Sequence, residues 1–127
     1  LNKILAEISA GELIDKITIL EIKKKKISDQ IKLLDVEKEL NSLNQTLEKF
    51  IPNKDIINSS INELMTINSK LWDLENAKRA AEKKGEFGQQ FIKDARDVYK
   101  LNDERAKIKL LINNTLGSNI KEVKSHD

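Results

Sequence analysis

The sequence predicts an all-α protein: an elongated antiparallel bundle of about four helices, with a short extended N-terminal segment and an irregular C-terminal tail. Three observations carry this. Apolar residues recur at spacings of three and four along most of the chain. Punctuation is scarce, with one proline and four glycines in 127 residues. Charged residues make up 35% and aromatic residues 4%, a balance that suits long solvated helices and not a sandwich or barrel. The length predicts a single domain over residues 1–127 with room for a modest core.

Each element has its own signals. Ile4, Ala6 and Ile8 alternate with Leu5 and Glu7, so residues 3–8 read as the extended segment. Ser9-Ala10-Gly11-Glu12 has the form of a capping box. In such a box the Ser9 hydroxyl accepts from the amide of residue 12, and Glu12 reaches back to the amide of Ser9. Helix 1 then covers roughly residues 10–27. Leu13, Ile17, Leu20 and Ile27 form one stripe on it, Ile19 and Ile22 lie on the other side, and Ile14 lies between. A helix that is apolar nearly all round is covered on several sides, so helix 1 is either the central helix or an oligomer interface.

Leu33, Val36, Leu40, Leu43, Leu47 and Phe50 follow with coiled-coil heptad spacing, in a different phase. The chain therefore breaks at Ser28-Asp29, and either residue can cap helix 2, roughly residues 30–51. Ile51-Pro52 ends that helix, because proline restricts the residue before it and offers no amide proton. Helix 3, roughly 55–84, carries Ile57, Ile61, Leu64, Ile67, Leu71 and Leu74, and stops at Gly85 behind Lys83 and Lys84. Helix 4, roughly 89–116, carries Phe91, Ala95, Val98, Leu101, Ile108, Ile112 and Leu116, and ends at Gly117. The tail offers Ile120 and Val123 as its apolar anchors.

Charge and composition exclude several functions. The net charge is +2 with acids interspersed among bases, unlike a nucleic-acid-binding arm. Trp72 and Tyr99 are single residues of their kinds, each suited to a half-buried position, and no series of aromatics is present to stack bases. No cysteine occurs, which removes disulfides and thiolate chemistry and fits the cytoplasm. No apolar run approaches the roughly 18 residues of a membrane span. Gly85 and Gly88 lack the strand and downstream pattern of a phosphate loop, His126 is the lone histidine and sits near the end, and no Glu-x-x-His occurs. No catalytic residue, metal or cofactor is assigned. Lys23 to Lys26 point in four directions around a helix, so they read as a solvated helix end that complements the dipole.

Polar residues interrupt the apolar stripes at matching depths. Arg105 lies between Leu101 and Ile108, with Asn102 and Lys109 on the same broad face. On helix 3, Asn68 and Glu75 fall within the stripe of Leu64 and Leu71, and helix 1 adds Glu21. A polar layer inside the bundle is expected. A buried guanidinium needs a carboxylate, and Glu21, Asp15 and Glu75 are the candidates. Arg105 is one of three arginines among 23 basic residues, the others being Arg79 and Arg96, which hints that a planar fork is needed at these places.

Three stretches carry a resemblance: SAGELIDKITILEIK at 9–23, LWDLE at 71–75, and the run from Gly85 to Ser125. They resemble a family of short bacterial proteins of unknown function. The resemblance implies a cytoplasmic helical protein with no assigned activity. It draws attention to Glu12, Asp15, Lys16, Glu21, Lys23, Trp72, Glu75, Tyr99, Asn102, Asp103, Arg105 and Lys109. The opening LIDKI is also similar to the first helix of the all-helical chorismate mutases, which implies a shared architecture only, because helix 1 here has no arginine.

Two functions follow as expectations. The first is a non-enzymatic helical interaction protein that forms a homodimer through helix 1, its polar layer setting register. The alternative is a binder of small anionic metabolites, or an enzyme, with a site inside the bundle made of Lys16, Glu21, Glu75, Asn102, Arg105 and Lys109. A register layer is dry and fully paired, whereas a site has spare donors facing a cavity.

Overall fold

In the computed structural model, residues 1–124 are described. Four α-helices form: α1 (Ala10–Lys26), α2 (Gln30–Phe50), α3 (Asn58–Lys84) and α4 (Gln89–Leu116). A single 3-10 turn, Asp55–Ile57, leads into α3. The chain is thus all-α and helical in packing, as the periodicity predicts. Residues 3–8 form no strand, and there is no strand among the described residues. With no neighbouring edge, their alternation has nothing to pair with. His126 lies outside the described residues.

The caps fall close to where the sequence places them. Ser9 caps α1, its Oγ accepting from the Glu12 amide at 3.0 Å. The other half of the expected capping box is absent: Glu12 is drawn away to Lys109 and Lys16. Asp29, not Ser28, caps α2, accepting from Ile31 at 2.9 Å and Lys32 at 3.2 Å. Gly85 and Gly117 end α3 and α4 with φ of 69° and 65°, the left-handed region where a side chain is strained.

α1 is the central helix. On one side Leu20 packs with Val36 and Leu40, and near its N-terminus Leu13 and Ile14 join Leu47 and Ile51. That register makes α1 and α2 antiparallel, and α2 approaches no other long helix along its backbone. On its other side α1 packs on both α3 and α4, which form the second hairpin around Leu64, Ile67, Ile108 and Ile112. None of α1's large apolar residues is exposed. α2, α3 and α4 of the same chain cover most of α1, while Ile17 and Ile19 are only partly buried. Phe50, placed in the helix 2 stripe, is 69% exposed, and Ile51 takes the buried position instead as the chain turns at Pro52.

α1 is 17 residues and α4 is 28, about 25 and 42 Å, so α1 covers only part of the α3–α4 hairpin. The uncovered tip is closed by an edge-to-face pair of Phe87 and Phe91, 5.3 Å between ring centres. At the opposite end the tail is held by polar groups. Ser118 Oγ accepts from the Ala10 amide at 3.1 Å, and Asn119 donates to Glu7 at 2.7 Å. Glu122 accepts from Ser9 at 2.5 Å and from Asn113 at 3.2 Å. Ile120 and Val123, the expected anchors, are exposed. The amides at the start of α1 need acceptors, and the tail supplies them.

Candidate functional site

The polar layer forms where α1, α3 and α4 meet, and its centre is Asp15. Its side chain is 1% exposed. Arg105 Nε donates to both Asp15 oxygens at 3.0 and 3.1 Å, and Nη2 also donates to Oδ2. Of the three candidate carboxylates for Arg105, Asp15 is the partner. Asn68 Nδ2 donates to Asp15 and to Thr18 Oγ1, both at 2.9 Å. The Thr18 hydroxyl donates to the Asp15 carbonyl at 2.7 Å, which leaves its oxygen free to accept from Asn68. Lys109 completes the carboxylate's surroundings at 3.8 Å and bonds Glu12 at 2.5 Å. The hydrogen bond to Asp15 holds the Arg105 guanidinium above its ordinary pKa, although burial opposes it.

This layer requires α1 and α4 to come close. Gly11 allows it: a Cβ there would stand 2.5 Å from the Lys109 carbonyl oxygen and 2.9 Å from Asn113 Oδ1. Asn113, itself buried, accepts from the Gly11 amide at 2.6 Å. Burial alone pushes the nearby Glu122 carboxyl up. The bonds from Ser9, from its own amide and from Asn113, with the charge of Lys109, outweigh it, so Glu122 ionises below the usual carboxylate value.

Outside the layer, on the same helices, is a cleft of about 480 Å³. Its apolar wall is Ile19, Ile22, Leu71 and Trp72, and its polar rim includes Glu75, Asn76, Arg79 and Asn102. Arg105 reaches it from the layer, its side chain 28% exposed. Asp15 engages Nε and Nη2. Nη1 has only a 3.5 Å contact with Asn102 Oδ1, at the limit of a hydrogen bond. Arg79 is exposed and makes no ion pair among the described residues. Asn68 also lines the cleft. Its amide nitrogen is used twice while its Oδ1 accepts from no described group. Since no buried side-chain nitrogen or oxygen among the described residues lacks a partner, that Oδ1 keeps some access to solvent.

Of the expected site residues, the structure brings Glu75, Asn102 and Arg105 to this cleft. Lys109 lies behind it in the layer. Lys16 is at the surface, paired with Glu12 at 3.6 Å, and Glu21 is half-buried outside the cleft lining. Both are set aside by the rotation of α1: its Asp15–Thr18–Ile22 face, not the Lys16 or Glu21 face, is turned to α3 and α4. Asn76, exposed on α3, also lines the cleft, and no motif in the sequence singles it out. A signal for the layer was present. Gly11, Asp15 and Thr18 are spaced by four and three, and Arg105, Lys109 and Asn113 by four, so two polar stripes face each other. Lys24 to Lys26 are exposed at the end of α1, as a solvated terminus requires.

The chain belongs to a family of unknown function, DUF6165, which it matches over residues 4–127. No curated protein and no solved structure matches it. No helix among the described residues is long and apolar enough to cross a membrane.

Proposed function

We propose that this protein binds a small anionic molecule in the cleft between α1, α3 and α4. One observation carries the reading. Arg105 is fixed on one edge by a buried carboxylate and offers its other edge to a cleft that also holds Arg79, a guanidinium with no carboxylate partner among the described residues. A layer that only set register has no need of the second arginine or of the open edge. The volume lies within the roughly 300–1,000 Å³ of ligand pockets, and apolar walls with a few convergent polar groups are the usual build. No proton-transfer pair is poised there, so binding is proposed and a reaction is not. A bacterial cytoplasm is the setting this reading assumes.

Thermal unfolding against a panel of anions tests it. A ligand that binds only the folded chain raises the midpoint with dose. The rise is expected to vanish in Arg79→Ala, which by itself changes stability by no more than about 0.5 kcal/mol, the side chain being exposed and without an ion pair among the described residues. No rise with any anion at millimolar concentration would reject the reading.

Self-association is proposed as a second, separate property, with the exposed side of α2 as its contact. Ile31 and Leu34 are 76% and 67% exposed on the side of α2 away from α1. Light scattering should give a dimer mass, reduced to a monomer by Ile31→Lys with Leu34→Lys. A monomer mass for the unaltered chain over a wide concentration range would reject it.

A further inference from the structure

We infer that the ligand of this cleft is a monocarboxylate with an apolar body and a hydrogen-bond donor beside its carboxylate, as in a 2-hydroxy acid or an α-amino acid. The inference rests on the cleft being a binding site and goes on to say what it selects.

The first argument is the shape of the free donors. Asp15 engages the Nε and Nη2 groups of Arg105. What remains is the edge made of Nη1 and the outer hydrogen of Nη2. Two parallel N–H groups on one edge match the two oxygens of a planar carboxylate. They match a tetrahedral phosphate less completely, because its third oxygen then needs a further donor.

The second argument is charge. The positive charge of Arg105 is already shared with Asp15, which is buried against it. Glu75 adds a negative charge to the rim, itself 3.6 Å from Lys78. Among the described residues Arg79 is the cation in the lining that forms no ion pair, so the cleft balances about one negative charge. A phosphomonoester near neutrality carries more, and its second charge would face Glu75.

The third argument is the pair of acceptors. Asn68 is 5% exposed, and its Oδ1 has no donor from the described residues. That oxygen keeps access to solvent, so a ligand that displaces water from it without offering a donor leaves it unmet, at about 1–3 kcal/mol. Glu75 supplies a second acceptor. A bare anion satisfies neither, whereas a hydroxyl or amine next to the carboxylate satisfies one while the carboxylate sits on Arg105. The rest of the molecule then meets Ile19, Ile22 and the Trp72 ring.

A matched series tests this by calorimetry and thermal midpoint: 3-phenylpropionate, 3-phenyllactate, L-phenylalanine and phenyl phosphate. Phenyllactate or phenylalanine is expected to bind roughly tenfold or more tighter than phenylpropionate, the worth of one hydrogen bond to an acceptor that the ligand cuts off from water. Phenyl phosphate is expected to bind weakest. Glu75→Gln separates the two sources: it weakens phenylalanine if the donor is an ammonium and spares phenyllactate if it is a hydroxyl. Phenylpropionate equal to phenyllactate and phenylalanine overturns the donor requirement. Phenyl phosphate binding tightest, and losing its affinity in Arg79→Ala, overturns the carboxylate assignment while leaving the cleft as an anion site. No Arg79-dependent binding by any member of the series, together with no effect in the wider anion panel, overturns the site itself.

Discussion

On the side of α1 that meets α2, Ile17 and Leu20 pack on Val36, Leu40 and Leu43 in an apolar cluster. On the side that meets α3 and α4, the same helix presents Gly11, Asp15 and Thr18 to Asn113, Arg105 and Asn68. The two sides bury α1 by different means. A seam of leucines and valines is held by area, and much of that area survives a shift of one turn. The polar side tolerates no such shift. Asp15 moved by one turn loses Arg105 and Asn68 together, and Gly11 moved by one turn drives a larger residue into the backbone of α4. The apolar side therefore supplies cohesion, and the polar side supplies position.

The largest effect expected is from breaking the polar side unevenly. Arg105→Ala leaves the buried Asp15 with only Lys109 at 3.8 Å and the Asn68 amide beside it, and should cost about 3–5 kcal/mol in urea unfolding. Asp15→Asn should cost less, because Arg105 can turn its partly exposed head to water. If position and not cohesion is what the pair gives, Asp15→Leu with Arg105→Met recovers most of the lost stability. Equal losses in the two single variants, with no recovery in the double, would break the comparison. Next is the apolar side: Leu40→Ala should cost about 2–5 kcal/mol. Hydrogen exchange is expected to show α2 amides losing protection while those of α3 and α4 keep theirs, since α1 is the one helix whose backbone lies close to α2 among the described residues. Gly11→Ala should cost about 1–3 kcal/mol by forcing α1 off α4, read as a lower unfolding midpoint.

The smallest effect is at the tail. The folded-state pKa of Glu122 lies below its ordinary 4.5. Its contribution is therefore fully present above that value and is lost as pH falls through the lower, folded one. The side-chain amide resonances of Asn113, which donates to Glu122, should report that loss on acidification and should stay constant in Glu122→Gln.

Much of this was legible in the residues, and the rest was hidden for a physical reason. Ser9, Asp29, Pro52, Gly85 and Gly117 act on their own few neighbours, so the helix ends could be read locally. The need of Arg105 for a carboxylate was also local, a matter of burial cost. Which carboxylate was not, because Asp15, Glu21 and Glu75 differ only in how α1 and α3 are turned against α4. Periodicity gives the faces of a helix and not the rotation of one helix about another. Arg79 was noticed as one of three arginines, but its place in the cleft depends on that rotation. The tail misled in another way. Its apolar residues drew attention, while Ser118 and Glu122 hold it by meeting amide and hydroxyl groups that no stripe displays.

The N-terminal segment and the tail meet at one end of the bundle, where Glu7 bonds Asn119 and Ser9 bonds Glu122. The loop from Gly85 to Gly88 lies at the other end and is exposed. Those two facts make the order of the helices negotiable. A short linker from the tail back to the start, with a cut in the 85–88 loop, would let synthesis begin at α4 and finish at α3. The α4–α1 contact through Gly11 would become a neighbouring hairpin in the chain and form early, and the α3–α4 pairing would become the distant one.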